Sequence, residues 1–196
     1  MQIDTSSNEN LSLSDISLVP KVISSVTSRN DVMLDFICND SNYTLPIIAS
    51  PMKDVCDGKV ALEMNRLGGL GIIHRFSSIE QQVKEFNIAG PNAFCAIGVN
   101  GDCIDRCNAL QKAGCKLFCI DVANGASVLV EKILKTFTEL SFIVGNVASK
   151  ECFSWLDKFE NVVKKTSLLV LQKLLKKDTS IQSEYLDSIV KEVTAK

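Results

Sequence analysis

The chain has 196 residues, 46% of them hydrophobic and 22% charged, with a formal net charge of −2. That balance gives no basic surface for nucleic acid or an anionic membrane, and it fits one globular domain with a substantial apolar core. No apolar run approaches the length of a membrane span and Gln2 to Asn10 is polar rather than a secretory leader, so a cytoplasmic protein is expected.

Residues 1–10 read as a flexible amino terminus. Residues 11–45 are mixed in character and read as a lead-in of irregular chain and short strands. Five apolar runs then follow at intervals of about 24 residues, each ending in small, polar or charged residues. They are Pro46–Met52, Gly69–Arg75, Ala93–Val99, Leu117–Gly125 and Ser141–Val147. Between them lie segments with helical spacing. Gly58–Leu67 is closed by Gly68-Gly69, and a second helix has Ser78 as N-cap with Gln81 three residues on. Ile104–Ala113 is closed by Gly114, Val128–Phe137 follows, and Ser149 caps a fifth helix through Phe153, Trp155 and Leu156.

A buried strand, a loop and a returning helix repeated at this spacing make a βα unit. The expected fold class is α/β: a partial TIM (β/α)8 barrel of about five units, followed by a helical carboxyl-terminal tail. The lead-in would cover one end. Beyond about residue 160 the strand–loop–helix order is lost. Ser167–Leu175 and the run from Ile181 to Val193 carry apolar residues at helical spacing, with Thr179 and Gln182 as a capping box, although a β reading of Leu168–Leu171 stays open. In a parallel barrel the chemistry lies at the carboxyl ends of the strands. Here those ends carry Ser50, Met52, His74, Arg75, Asp121, Asn124 and Asn146.

Eight cysteines accompany a single histidine. With no export signal, and with Cys95 and Cys119 inside apolar runs, reduced core thiols are expected rather than a disulfide framework. Cys103/Cys107 and Cys115/Cys119 are four apart rather than two-residue CxxC pairs, which makes metal binding the weaker reading. Gly68, Gly69 and Gly71 precede their strand instead of following it, so they do not form a dinucleotide-binding loop.

Taken in order, several segments resemble the catalytic barrel of the IMP dehydrogenase/GMP reductase family. They are Asp15–Pro20, Ser28–Val32, Ala49-Ser-Pro-Met52, Leu67-Gly-Gly-Leu-Gly-Ile-Ile-His-Arg75, Ser78–Gln82, Ile120-Asp-Val-Ala-Asn-Gly125 and Gly145-Asn-Val147. The resemblance covers residues 11–160 and leaves 161–196 as a divergent tail. It implies a purine-nucleotide oxidoreductase, acting between NAD(P) and the C2 position of GMP or IMP through a covalent cysteine adduct. Asp121–Gly125 and the short link from Gln82 to Ala93 resemble the GMP reductase side, which converts GMP and NADPH to IMP and ammonia. NAD is the alternative cofactor, and IMP dehydrogenase the alternative ancestry.

The same resemblance assigns roles. Ser50, Met52, Arg75 and Asn146 would face the purine nucleotide; Asp121, Ala123, Asn124, Gly125 and Gly145 would face the cofactor. Each has a plainer reading: a Ser-Pro turn with a core methionine, a capping or ion-paired Asp121, a structural turn at Asn146, a packed strand-end His74. Arg75 stands where the family commonly has a lysine, and a guanidinium stays protonated, which suits positioning rather than proton transfer. Lys53 replaces an acidic residue usual after the methionine.

The family's nucleophile loop and glycine-rich phosphate loops have no match in this sequence, and no glycine follows Gly145. No catalytic residue is therefore assigned, and a chain without activity of its own is expected. Five units cannot close an eight-stranded barrel, so the tail, a second copy or a complete homologue would cover the open side. A non-catalytic nucleotide-binding or partner subunit, and a truncated or non-functional gene product, are the alternatives.

Overall fold

The computed structural model describes residues 41–147 and 149–163, together with 34–39 and positions 23, 27, 28, 30 and 32. The expectations for residues 1–10, for Asp15–Pro20 and for the helical stretches of the tail lie outside the described residues.

The five apolar runs form five parallel strands whose order in space is their order in sequence: β3 (Ile48–Ala49), β4 (Leu70–Ile73), β5 (Phe94–Ile97), β6 (Leu117–Asp121) and β7 (Ser141–Gly145). Before them, β1 (Phe36–Cys38) and β2 (Ser41–Tyr43) make an antiparallel hairpin. Helices return the chain after each parallel strand: α1 (Gly58–Arg66), α2 (Ile79–Ala89), α3 (Cys103–Lys112), α4 (Val128–Thr136) and α5 (Lys150–Leu156). This is the expected partial (β/α)8 barrel.

The strands read as continuous apolar runs because both faces are buried. Alternate side chains enter two separate cores. Ile73, Cys95, Ile97, Phe118, Ile120, Phe142 and Val144 pack against the helices. Leu70, Ile72, Phe94, Ala96, Leu117, Cys119 and Ile143 form the inner cluster with Cys38 and Tyr43 of the hairpin. Fully burying Phe94, Phe118 and Phe142 contributes about 1.5–3 kcal/mol per side chain. The hairpin lies at the amino ends of the strands, where the Ser141 hydroxyl donates to Asn39 Oδ1 at 2.7 Å. The hairpin thus covers the amino-end side of the sheet, opposite the carboxyl ends of the strands.

Helix starts follow side-chain chemistry. Asp57, Ser78, Ser127 and Ser149 each accept a hydrogen bond from a first-turn N–H of the helix they begin. The capping box expected at Ser78 is only half made: Ser78 Oγ accepts from the Gln81 N–H, but the Gln81 side chain donates to Glu85 instead. An i,i+4 partner on the same face competes with the backward reach. α1 ends where Gly68, at φ +85°, takes the left-handed position. Gly71 is required by packing: a Cβ there would run into the Ala61 backbone of α1.

The parallel pattern also extends past the expected boundary at residue 160. Phe142 N–H donates to Asn161 O and Val163 N–H to Phe142 O, both at 2.8 Å, in a parallel bridge between Phe142 and Val162. Among the described residues no helix is long and apolar enough to cross a membrane.

Candidate functional site

The candidate residues fall at the carboxyl ends of the strands, in two groups on either side of β5. On one side the loops after β6 and β7 are joined by a continuous set of hydrogen bonds. Val122 N–H donates to Gly145 O (2.8 Å), Asn146 N–H to Val122 O (2.6 Å), and Gly125 N–H to Asn146 O (2.7 Å). The Asn146 side chain adds Nδ2 to Val122 O at 2.9 Å. These bonds carry the β6–β7 pairing beyond Asp121 and Gly145, which are themselves register partners. Gly125 is buried in the angle between the loops, while Asn124 is exposed and its Oδ1 accepts from the Ala126 N–H at 3.0 Å. Ala123 is exposed and Asp121 half-buried at the rim. The five cofactor-side candidates and Asn146 therefore share one rim, and the Asn146 amide also has the plain structural use its turn reading implied.

On the other side, Ser50 follows β3 and its carbonyl accepts from the Met52 N–H at 2.8 Å, so the Ser-Pro turn is real. The core-methionine reading is not: Met52 is 53% exposed. Among the described residues Ser50 Oγ is buried without a hydrogen-bond partner, and so is Arg75 Nε. The Arg75 guanidinium carbon lies 4.9 Å from the centre of the exposed Phe76 ring, a cation–π arrangement. His74 is buried, with Nδ1 accepting from the Phe76 N–H at 3.1 Å, so it serves as a packed strand-end residue. A Cβ on Gly98, after β5, would lie 3.5 Å from Arg75 Nη1. The guanidinium thus reaches across from the end of β4 to the end of β5.

Sequence reading passed over a polar network behind this rim. Arg106 of α3 is 5% exposed and Gln82 of α2 is fully buried. Arg106 donates from Nη1 to Gln82 Oε1 (2.7 Å) and from Nη2 to Ser77 O (2.8 Å) and Asp102 Oδ2 (2.6 Å). Gln82 Nε2 donates to Ala96 O of β5 at 2.8 Å. The signal was present in the periodicity: Gln82 shares a helical face with Phe86 and Ala89, and Arg106 with Cys103, Cys107 and Leu110. A polar side chain on a core-facing stripe calls for a partner.

The IMP dehydrogenase / GMP reductase domain model matches residues 10–164. The chain belongs to that family. It is 43% identical over 75 residues to a GMP reductase of Leishmania donovani, a stretch covering 38% of this chain and 15% of that one. Against an inosine-5'-monophosphate dehydrogenase of Borreliella burgdorferi it is 26% identical over 200 residues, covering 73% of this chain and 49% of that one. A GMP reductase of Streptococcus gordonii gives 29% over 150 residues, 73% of this chain and 45% of the relative. Among solved structures, inosine 5' monophosphate dehydrogenase from Legionella pneumophila superposes with a TM-score of 0.69 at 28% identity, covering 79% of this chain and 50% of that one. The chain spans about half, or less, of the length of these relatives.

Members of the IMP dehydrogenase/GMP reductase family are NAD(P)-dependent oxidoreductases acting on purine nucleotides. For that chemistry the state of the thiols matters, because the thiolate is the nucleophile. All eight cysteines are buried. Burial pushes Cys56 up to about 11 and Cys38 and Cys107 up to about 12. Burial, with Cys115 alongside, pushes Cys95 well up too, and burial raises Cys103 as well. Cys56, in the loop after β3, is 0% exposed, and its Sγ faces Asp57 O at 3.8 Å.

Proposed function

We propose that this chain is a purine-nucleotide-binding partial barrel of GMP reductase type, taking GMP or IMP on the Ser50–Met52–Arg75 side and NADPH on the Asp121–Gly125 side. We propose further that as a 196-residue chain it does not turn over. NADPH would supply the hydride when bound. Asp121 offers carboxylate acceptors for ribose hydroxyls, and Ala123, Asn124, Gly125 and Gly145 line the same rim. Two buried polar atoms left without partners at the opposite rim, Ser50 Oγ and Arg75 Nε, suit a ligand with both acceptor and donor atoms, as a purine has. The observation that carries the catalytic half of the reading is the burial of all eight thiols, several of them held protonated at neutral pH.

The test is calorimetric titration of the purified chain with GMP, IMP, NADPH and NAD, beside an assay of NADPH oxidation with GMP. Binding of a purine monophosphate with no oxidation is the expected result. Turnover that disappears on replacing one cysteine would overturn the non-catalytic half; no heat and no thermal shift with any nucleotide would overturn the binding half.

A second reading, that the chain pairs with another copy or with a complete homologue, is favoured by the β3 flank. Among the described residues β3 pairs only with β4. Beside it Ile47, Leu62 and Leu67 are 49%, 44% and 57% exposed. An uncovered strand edge with apolar neighbours is a natural pairing surface. Light scattering across a concentration series would show association if this reading holds, and a concentration-independent monomer would sink the self-pairing version.

A further inference from the structure

We propose that Arg106 is a positioning residue for the mouth. It fixes the β4–α2 loop, which carries Arg75, against the β5–α3 loop, which carries Gly98 and Asp102, so that purine-nucleotide affinity depends on a guanidinium buried behind the rim. The proposal deepens the nucleotide reading and rests on it for the ligand, though not for the clamp itself.

The geometry is that of a bracket. One face of the Arg106 fork holds Asp102, with Nε at 3.2 Å and Nη2 at 2.6 Å from the same carboxylate oxygen. Nη2 also holds the Ser77 carbonyl, two residues after Arg75, at 2.8 Å. Nη1 is anchored to Gln82, which is in turn tied to Ala96 of β5. A planar guanidinium delivers these bonds in fixed directions, which an ammonium on a flexible stem cannot. The bracket spans the two loops that Arg75 bridges: its guanidinium lies over Gly98, where any Cβ would be 3.5 Å from Nη1. It also adds to the positive field that favours the ionised Asp102. Asp102 gives its side chain to Arg106 and makes no cap on α3, unlike the residues that begin the other four helices. Helix capping has been given up for a contact that joins two strand-end loops.

The experiment is hydrogen–deuterium exchange on the full chain, wild type against Arg106→Lys and Asp102→Asn, read at peptides covering 75–78, 98–103 and, as reference, 117–121 and 141–145. Asp102→Asn changes a half-exposed side chain, so it provides a folded variant if Arg106→Lys proves unstable. The expected result is exchange faster by about tenfold in both loops with the reference strands unchanged. GMP or IMP affinity should fall with it, while the melting temperature of Asp102→Asn drops by no more than about 5 °C. Unchanged loop exchange in both variants would overturn the clamp, and so would an equal rise in loops and reference strands, which marks general destabilisation. Wild-type chain that binds neither nucleotide defeats the nucleotide reading, and with it the affinity half of this proposal; the exchange pattern still decides the clamp.

Discussion

The two flanks of the mouth are built from the same βα unit, yet they end in opposite states. At β6 and β7 the strand-end loops are tied to each other by hydrogen bonds, down to the Asn146 amide on Val122 O. At β3 and β4, Ser50 Oγ and Arg75 Nε are buried without a hydrogen-bond partner among the described residues, and so, at the far end of α1, are both amide atoms of Asn65. The difference follows from position in the sheet. β6 has a strand on each side and β7 is met by Val162, whereas β3 pairs only with β4 among the described residues. A strand-end loop can satisfy its polar atoms on a neighbouring loop only if that loop is present. At Ser50, which follows the edge strand, that loop is not present among the described residues; Arg75 follows the next strand in, and both atoms are available to a ligand or a partner.

The contrast can be broken most forcefully in the centre of the sheet. Phe118 is fully buried, with its ring centre 5.8 Å from that of Phe142. Phe118→Ala should cost about 3–5 kcal/mol in urea unfolding, and a cost under about 1 kcal/mol would mean that the β6–β7 flank is not the rigid one. At the opposite flank the sign should reverse. Asn65→Ala removes two unsatisfied buried atoms from α1 and adds helix propensity, so stability should rise by about 1–2 kcal/mol; a lower melting temperature would show that the amide has a partner after all. Asn146→Ala forfeits one side-chain hydrogen bond to a backbone carbonyl and should cost about 1 kcal/mol, with faster amide exchange at Gly125 as the local sign.

The smallest effect is electrostatic. The Arg106 hydrogen bond beside Asp102 holds its carboxyl below the ordinary 3.8. Its folded value is thus lower than its unfolded one, so the stabilisation is complete above about pH 4 and is lost as pH falls through the lower folded value. The carboxylate is half-exposed, which keeps the contribution under about 1 kcal/mol. The stability difference between wild type and Asp102→Asn should narrow as pH drops below 4, and a difference that grows there would have the wrong sign.

Much of this was legible beforehand where periodicity and local chemistry agree. The runs at Gly69–Arg75, Ala93–Val99 and Ser141–Val147 each contain their strand, and Ser78, Ser149, Gly68 and Gly114 mark helix ends as their side chains or φ values require. The candidate residues follow the strands where the spacing put the strand ends, because strand ends are a property of spacing. What escaped was anything set by a distant neighbour. The exposure of Met52, the diversion of Gln81 to Glu85, and the Arg106–Gln82–Ala96 chain each depend on what packs across a gap of sequence. Val162 was missed as a strand position because one bridge leaves no periodicity to detect.

The amino-acid sequence by itself determined five parallel βα units, their two-sided burial and the family to which they belong, since these follow from the alternation of apolar runs with capped helices and from ordered motifs along the chain. Only the tertiary structure decided which polar groups at the mouth are already spent. Hydrogen-bond satisfaction depends on the loop that the fold brings alongside: it joins Asn146 to Val122 on one flank, and leaves Ser50 Oγ and Arg75 Nε unmet on the other.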